Sequence, residues 1–396
     1  MNFLSLLFMV EDPMQVYLDH NATTPVDPQV LEAMLPYYQQ KYGNASTLYA
    51  LGREARIAVD EARERIAELI HAQSTEIYFT SGGTESDNTA LKGVAFANRE
   101  RGNHIITSQI EHSAVLDTCR YLEKQGFEVT YLPVDRFGKV HPQQVLEALT
   151  DRTILISIMH ANNEIGTIQP IEEIGAIARE RGIYFHTDTV QTFGKLPIDV
   201  KRMKIDLLSI SAHKIYGPKG IGALYIRKGV NIDPLLHGGE QERKRRAGTE
   251  NVPAIVGFGK AVELAKNHME AEAQHLTKLR NQLFEGLQSR IDGITLNGHP
   301  VDRLPGTLNI SVKYVKGEAL LLQLDKQGIY ISTGSACASG SIEPSHVLLA
   351  LGMSDQEARN SIRFSLGREN TEEDIAYVLN VFPEVVRKLR GISALA

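Results

Sequence analysis

The segment IEEIGAIARERGIYFHTD, residues 171–188, changes its hydrophobic period near its middle. Ile171, Ile174 and Ile177 recur at helical spacing and predict a helix in the first half of the segment. Residues 183–187, which follow, form a short run of strand-favouring residues and predict a β-strand. A helix that leads into a strand is the repeating unit of an α/β sheet, in which crossover helices connect parallel strands.

The same alternation extends in both directions, from residue 75 to about residue 227. The candidate strands cover residues 76–80, 104–107, 128–132, 154–158, 183–187, 206–210 and 222–226. The segments between them carry helix signals. We therefore predict an α/β fold with a mostly parallel seven-stranded sheet that helices cover on both sides.

Helical patterns flank this block, over residues 54–70 before it and 253–290 after it. Later segments predict a strand at 306–312 and helices at 317–327 and 371–389, which together indicate a smaller C-terminal α+β domain.

The domain boundaries follow from these elements. We expect a large domain over residues 24–270, and a small domain that combines residues 14–23 with 271–396. Residues 1–13 are expected to be a disordered leader, because their apolar run has no basic flank and is too short to cross a membrane.

The composition limits the class of function. Of 396 residues, 42% are hydrophobic and 23% are charged, as in soluble globular proteins. The net charge of −6, from 42 basic and 48 acidic residues, provides no general positive field for nucleic acid or an anionic membrane. Two cysteines, Cys119 and Cys337, are too few for a disulfide framework, so a reducing, cytoplasmic compartment is expected.

Polar residues gather after the predicted strands. In an open parallel sheet, ligands bind beyond the carboxyl ends of the strands. The residues found there are Ser81, Gly82, Gly83, Thr84, Glu111, His112, Asn162, Asn163, Glu164, Asp188, Gln191, Ser211, His213 and Lys214. Any one of them is more often a turn former or a helix cap, but together they form a candidate site.

Three features of this set have complementary chemistry. The Ser81–Thr84 turn precedes a helix, so its N–H groups and the Thr84 hydroxyl can hold a phosphate. Asp188 ends an apolar strand, where a carboxylate needs a positive partner such as a protonated ring nitrogen. Lys214 ends another strand, where burial can free a nucleophilic amine. These are the groups that pyridoxal phosphate requires; His112 could stack on its ring and Gln191 could reach its ring hydroxyl.

Two further residues are candidates for the chemistry. Cys337 lies among glycines and small polar residues, which indicates an exposed, reactive thiol, whereas Cys119 falls in a helical segment and is expected to be buried. Arg363 lies in the alternating run Ser361–Ser365, where its guanidinium could bind a substrate carboxylate or form a surface salt bridge.

These motifs resemble the cysteine desulfurases of the nitrogen-fixation and iron–sulfur assembly type, within the class-V aminotransferases of fold type I. The resemblance covers about residues 16–386. Its motifs lie at residues 17–24, 79–86, 111–115, 162–166, 213–220, 334–337 and 361–365. It implies a homodimeric pyridoxal 5′-phosphate enzyme that converts L-cysteine to L-alanine and holds the sulfur as a persulfide on Cys337, in the small domain's cysteine loop.

The resemblance also implies roles for individual residues. Lys214 would bond covalently to the cofactor and move protons, and His112 would stack on the ring and act as acid and base. Asp188 would pair with the ring nitrogen and Gln191 with the ring oxygen. The phosphate would be held by Gly83, Thr84, Ser211 and His213 together with Thr249 of a second subunit, and the substrate carboxylate by Asn163 and Arg363.

The resemblance further implies that the sulfur goes to an iron–sulfur scaffold or another acceptor protein, without direct nucleic-acid binding and without a resident metal. Cys337 could ligate a cluster transiently during that transfer. Two other enzymes would use the same cofactor residues: a selenocysteine lyase and a transaminase, which has no need of Cys337. A non-catalytic protein that only relays persulfide is the alternative from another class.

Overall fold

The computed structural model describes residues 14–333 and 343–393, so the expected leader at 1–13 and Cys337 lie outside the described residues. The strands are β1 (Val16–Tyr17), β2 (Ile77–Thr80), β3 (His104–Ser108), β4 (Glu128–Leu132), β5 (Thr153–Ser157), β6 (Tyr184–Asp188), β7 (Leu207–Ser211), β8 (Gly222–Ile226), β9 (Ile294–Asn297), β10 (Thr307–Val312), β11 (Ile329–Tyr330) and β12 (Ser361–Ser365).

The α-helices alternate with the strands from β2 to β6 and are less regularly placed elsewhere. They are α1 (Pro28–Met34), α2 (Pro36–Gln39), α3 (Ala50–Leu69), α4 (Gly83–Ala97), α5 (Ser113–Lys124), α6 (Pro142–Ala148), α7 (Ile171–Glu180), α8 (Val252–Arg290), α9 (Gly317–Asp325), α10 (His346–Ala350), α11 (Asp355–Arg359) and α12 (Glu372–Ser393). Across the described ranges, no helix combines the length and apolar character that a membrane crossing requires.

The central sheet has seven strands in the order β2-β8-β7-β6-β5-β3-β4. This confirms the predicted mostly parallel α/β sheet, and each predicted strand is present within about a residue of its expected bounds. β8 is the exception in direction, since it pairs antiparallel with both β2 and β7. Only residues 212–221 connect β7 to β8, which is too short for the crossover helix that a parallel neighbour needs.

Helices pack on both faces of the sheet because neighbouring strand residues point to opposite sides. Ile106 lies in the core formed with α3, α7 and α8, whereas Ile105 lies in the core formed with α4 and α5. Cys119 on α5 belongs to the second core and is buried, as expected from its helical segment.

A separate core lies in the C-terminal part of the chain. Strands β9, β10 and β12 form an antiparallel sheet, and the short pair of β1 with β11 brings Leu18 into the same core. The large core extends along α8 to Ala265, and the second core begins on the same helix at Leu276. This separation supports the division near residue 270, which stays a prediction.

A strained segment joins β8 to α8 and carries Thr249 at the surface. Glu242, Arg243 and Lys244 have φ of 46°, 55° and 65°, in the left-handed region that residues other than glycine rarely adopt. A buried ion pair holds the segment, because Arg63 Nη1 and Nη2 each lie 2.7 Å from a Glu242 carboxylate oxygen. This bidentate, charge-assisted pair can offset the free-energy cost of several strained backbone residues.

We predict that Arg63→Met lowers the free energy of unfolding by about 3–5 kcal/mol, because Glu242 would remain buried without its partner. Urea unfolding followed by circular dichroism measures the change. Arg65→Met on the same helix is the control. Its pair with Glu263 is 3.5 Å long and exposed on both sides, so it should cost less than about 1 kcal/mol. Equal losses in both variants would contradict the stabilising role of the buried pair.

Candidate active site

A cavity of about 330 Å³ lies at the edge of the sheet where β2, β3, β5, β6 and β7 have their carboxyl ends. The predicted residues that line it are Gly83, Thr84, His112, Asn163, Asp188, Gln191, Ser211, His213 and Lys214. Arg363 and Thr249 do not line it, and Cys337 lies outside the described residues. The structure therefore brings together most of the set that the strand ends indicated.

One end of the cavity is built to hold an anion. Gly82, with φ of 152°, turns the chain from β2 into α4, a conformation that favours glycine. A Cβ on Gly83 would lie 2.6 Å from Val190 Cγ2, so glycine is needed for the helix to approach this close. The first N–H groups of α4 have no acceptor within the helix, and the helix dipole adds positive potential beside Thr84.

His213 borders the same end. Its Nδ1 lies 3.0 Å from Thr23 Oγ1, and burial, together with Lys214, lowers the pKa of its imidazole to about 4. The ring is therefore neutral at physiological pH and can donate one hydrogen bond without adding charge.

Asp188 lies at the base of the cavity, at the end of β6, and is only 7% exposed. Its Oδ1 accepts a hydrogen bond of 2.8 Å from the Val190 N–H. Burial raises the pKa of its carboxyl, while the nearby His112 and Lys214 oppose the rise. A cationic group in the cavity would therefore stabilise the ionised form strongly.

A second buried carboxyl lines the same cavity and was not predicted. Asp87 on α4 is 1% exposed, and its Oδ1 has no hydrogen-bond partner among the described residues. Burial and the charge of Asp188 raise its pKa well above the ordinary range. Two buried carboxylates repel each other, so the pair favours one neutral and one charged form, and the nearby His112 and Lys214 favour the charge on Asp188. Its position inside a helix gave no sequence signal for this role.

Lys214 reaches the N-terminal segment. Its Nζ donates hydrogen bonds of 2.6 Å to the Asn21 carbonyl and 2.7 Å to the Ala22 carbonyl. Gln191 Nε2 donates to the same Asn21 carbonyl at 2.9 Å, and its Oε1 is buried without a partner in the described part of the chain. Sequence reasoning assigned no role to Asn21 or Ala22, although the polar run after Leu18 was one of the quoted motifs.

His112 caps the helix that begins beside the cavity. Its Nδ1 accepts a hydrogen bond of 3.1 Å from the Ala114 N–H, so the proton of the neutral ring is on Nε2. Burial lowers the pKa of the imidazole. The neighbouring Glu111 accepts two hydrogen bonds of 3.0 Å from the Met159 N–H, and burial raises the pKa of its carboxyl to about 8.

Arg363 lies in β12, as predicted, next to the cavity rather than in its wall. The alternative interpretation, a surface salt bridge, is wrong, because the Arg363 side chain is only 2% exposed. Nη1 donates to the backbone oxygen of Asn163 at 3.0 Å, and Nη2 donates to Asp19 Oδ1 at 2.7 Å. Asn163, which is one of the lining residues, thus connects this arginine to the cavity.

Comparison with known proteins gives a consistent assignment. Residues 16–378 match the family model of the class-V aminotransferases. Cysteine desulfurase IscS of Methanosarcina thermophila is 61% identical over 96% of this chain and 94% of its own length. The solved structure of a NifS-like protein has 42% identity and a TM-score of 0.88, covering 97% of this chain and 100% of its own. The structure of SspA in complex with cysteine has 44% identity and a TM-score of 0.80, covering 89% and 99%.

The chain belongs to the class-V aminotransferase family, and within it to the cysteine desulfurases.

The cofactor of this family is pyridoxal 5′-phosphate, and the cavity residues fit it. The Gly82–Thr84 turn suits the phosphate, and the buried carboxylate of Asp188 suits a protonated ring nitrogen. The unpartnered Oε1 of Gln191 shows a buried polar atom that a bound group would satisfy. Lys214 lies on the same cavity wall and supplies the amine for a covalent bond.

We predict that Asp188→Asn raises the dissociation constant for pyridoxal phosphate at least about tenfold, because a neutral amide cannot balance the ring cation. Equilibrium dialysis of the cofactor-free protein against pyridoxal phosphate measures it. Asp302→Asn is the control, since that carboxylate is exposed and pairs with Lys139. An unchanged constant in Asp188→Asn would contradict the assignment of Asp188 to the ring nitrogen.

Proposed function

We propose that this protein is a pyridoxal-phosphate-dependent cysteine desulfurase, which converts L-cysteine to L-alanine and transfers the sulfur as a persulfide. The observation that carries the proposal is the meeting of the Gly83 turn, Asp188 and Lys214 in one cavity. Relatives named cysteine desulfurase over nearly the whole chain, and SspA in complex with cysteine, support it.

The cofactor would be held from several sides. Gly83, Thr84, Ser211 and His213 would bind its phosphate, and His112 would stack on its ring. Asp188 would pair with the ring nitrogen, Gln191 would contact the ring oxygen, and Lys214 would bond covalently to the aldehyde carbon. When bound, pyridoxal phosphate withdraws electrons from the α-carbon of an amino acid.

The chain's own residues would then position the substrate and move its protons. Asn163 lines the cavity, and together with the Arg363 guanidinium its side chain would hold the α-carboxylate. Lys214 would carry a proton to and from the α-carbon. His112 would also give and take a proton, through Nε2, because its Nδ1 already accepts the hydrogen bond from the Ala114 N–H.

Sulfur transfer needs a second thiol. We assign it to Cys337, because Cys119 is buried and burial raises the pKa of its thiol, which keeps it unreactive. The Cys337 thiolate would attack the substrate sulfur. A sulfur–sulfur bond forms while the substrate carbon–sulfur bond breaks, so that cysteine and one thiol yield alanine and one persulfide.

We predict that Cys337→Ala abolishes sulfide release from L-cysteine in the presence of dithiothreitol, with a fall of at least about 100-fold, because the nucleophile is lost. Alanine and sulfide are measured together. Cys119→Ala is the matched control and should retain most of the parent activity, although its buried site loses some packing.

Three measurements separate the alternatives. A transaminase would act without Cys337, so parent-level turnover in Cys337→Ala would contradict the mechanism. A selenocysteine lyase would prefer selenocysteine over cysteine by orders of magnitude in competition. A protein that only relays persulfide would be colourless after purification and would form no alanine.

We also propose that the enzyme is a homodimer in which Thr249 of one subunit reaches the phosphate of the other. Thr249 is exposed and does not line the cavity of its own chain. Large apolar side chains are exposed along α1–α3 and the loops between them, namely Leu31, Leu35, Tyr38, Tyr42, Leu48, Tyr49 and Ile57. Exposed apolar side chains gathered within one stretch of the chain are typical of an interface, and a second copy of this chain is the partner proposed.

We predict that Leu48→Asp, at a side chain that is 88% exposed, shifts the protein from dimer to monomer, because a charge at an apolar interface core is not paired. Analytical ultracentrifugation measures the shift. Leu322→Asp, at an exposed leucine on α9 outside this surface, should leave the dimer intact. A dimer that persists in Leu48→Asp at micromolar concentration would contradict this interface.

The sulfur acceptor is proposed to be an iron–sulfur scaffold protein, on the strength of the relatives named IscS. We propose a cytoplasmic location, because a chain with two cysteines and no disulfide framework suits a reducing compartment.

A further inference from the structure

Arg363, which the proposed function assigns to the substrate carboxylate, already has a carboxylate partner in this chain. Asp19 Oδ1 accepts a hydrogen bond of 2.7 Å from Nη2. The contact uses one oxygen and one N–H, whereas an arginine and a carboxylate bind most strongly through two parallel hydrogen bonds. Nε is buried without an acceptor in the described part of the chain. The internal pair therefore leaves the guanidinium incompletely satisfied.

Arg363 and Asp19 differ in how freely their side chains can move. The Arg363 side chain is 2% exposed, so its guanidinium has almost no open face for a further ligand. The Asp19 side chain is 19% exposed and makes its hydrogen bond to Arg363 alone among the described residues. Its backbone is held separately, through a bridge to Ser365 and the hydrogen bond from the Tyr17 hydroxyl. The Asp19 carboxylate can therefore rotate toward water without moving the chain.

Asp19 and a substrate carboxylate cannot favourably bind Arg363 together, because both are negatively charged. A substrate carboxylate that approached Arg363 while Asp19 remained in place would meet a like charge a few ångströms away. Replacing the single hydrogen bond of Asp19 by a bidentate carboxylate would satisfy more of the guanidinium N–H groups, including the buried Nε. The substrate carboxylate is thus expected to replace Asp19 at Arg363 rather than to bind beside it.

We propose that Asp19 is an internal competitor of the substrate, whose carboxylate occupies Arg363 and is displaced by the α-carboxylate of the amino acid. This rests on the proposed function, in which Arg363 binds that group. Because an α-carboxylate must displace Asp19 and a simple amine need not, Asp19 weakens the binding of amino acids and so lowers the preference for amino acids over simple amines. Asp19 is a specificity residue that acts through Arg363.

The test compares a ligand pair and a variant pair on the cofactor-loaded enzyme by isothermal titration calorimetry. L-Alanine carries the carboxylate and ethylamine lacks it. Asp19→Asn removes the competing charge but keeps a side chain of the same shape. The control is Asp27→Asn, because Asp27 forms a comparable partly buried pair with Arg368 at 3.0 Å, away from the cavity, and asparagine caps α1 as well as aspartate does.

We expect Asp19→Asn to tighten L-alanine binding about fivefold and to leave ethylamine binding unchanged, while Asp27→Asn changes neither. Weaker L-alanine binding in Asp19→Asn would overturn the proposal, because Asp19 would then orient Arg363 for the substrate. Unchanged L-alanine binding would overturn it as well, since the pair would be purely structural. Alanine production from L-cysteine by the parent enzyme is assayed separately, so a failure of the proposed function is recognised independently of the Asp19 result.

Discussion

The site depends on a buried negative charge. Asp188 ends a central strand of the sheet, almost out of contact with water, and the buried Asp87 lines the same cavity with an oxygen that has no hydrogen-bond partner among the described residues. Burying a carboxylate is costly unless a positive group faces it, and a second carboxyl nearby raises the cost of ionising both. The cavity is therefore suited to a positively charged group, and a protonated cofactor ring carries such a charge.

A short N-terminal segment completes the cavity from the other side. The pairing of β1 with β11 and the bridge between Asp19 and Ser365 bring residues 19–22 against the sheet edge. There the Asn21 carbonyl accepts hydrogen bonds from both Lys214 and Gln191, while its side-chain amide donates to the Asn163 carbonyl. One segment thus links the proposed cofactor residues to the proposed carboxylate site, and the competition between Asp19 and a substrate would act on the same link.

The strand alternation in the sequence was sufficient to predict the central sheet, because most of the strands are apolar and most of the connections are long enough for a helix. The prediction did not include the reversed direction of β8, which follows from the short connection before it. Arg363 shows a second difference. Its alternating neighbours predicted the strand, but the burial of the guanidinium and its pairing with Asp19 depend on residues that are far apart in the chain.

The sequence alone determined the residue types and their order: a glycine turn before a helix, an acid and a lysine after apolar strands, and the motifs of a cysteine desulfurase. These are local patterns, and local backbone preferences and hydrophobic periodicity are readable without a fold. The tertiary structure decided which of these groups share a cavity, that Asp87 joins Asp188 there, and that Asp19 pairs with Arg363. Those relations arise from packing between distant segments, and burial and distance between such segments exist only once the chain has folded.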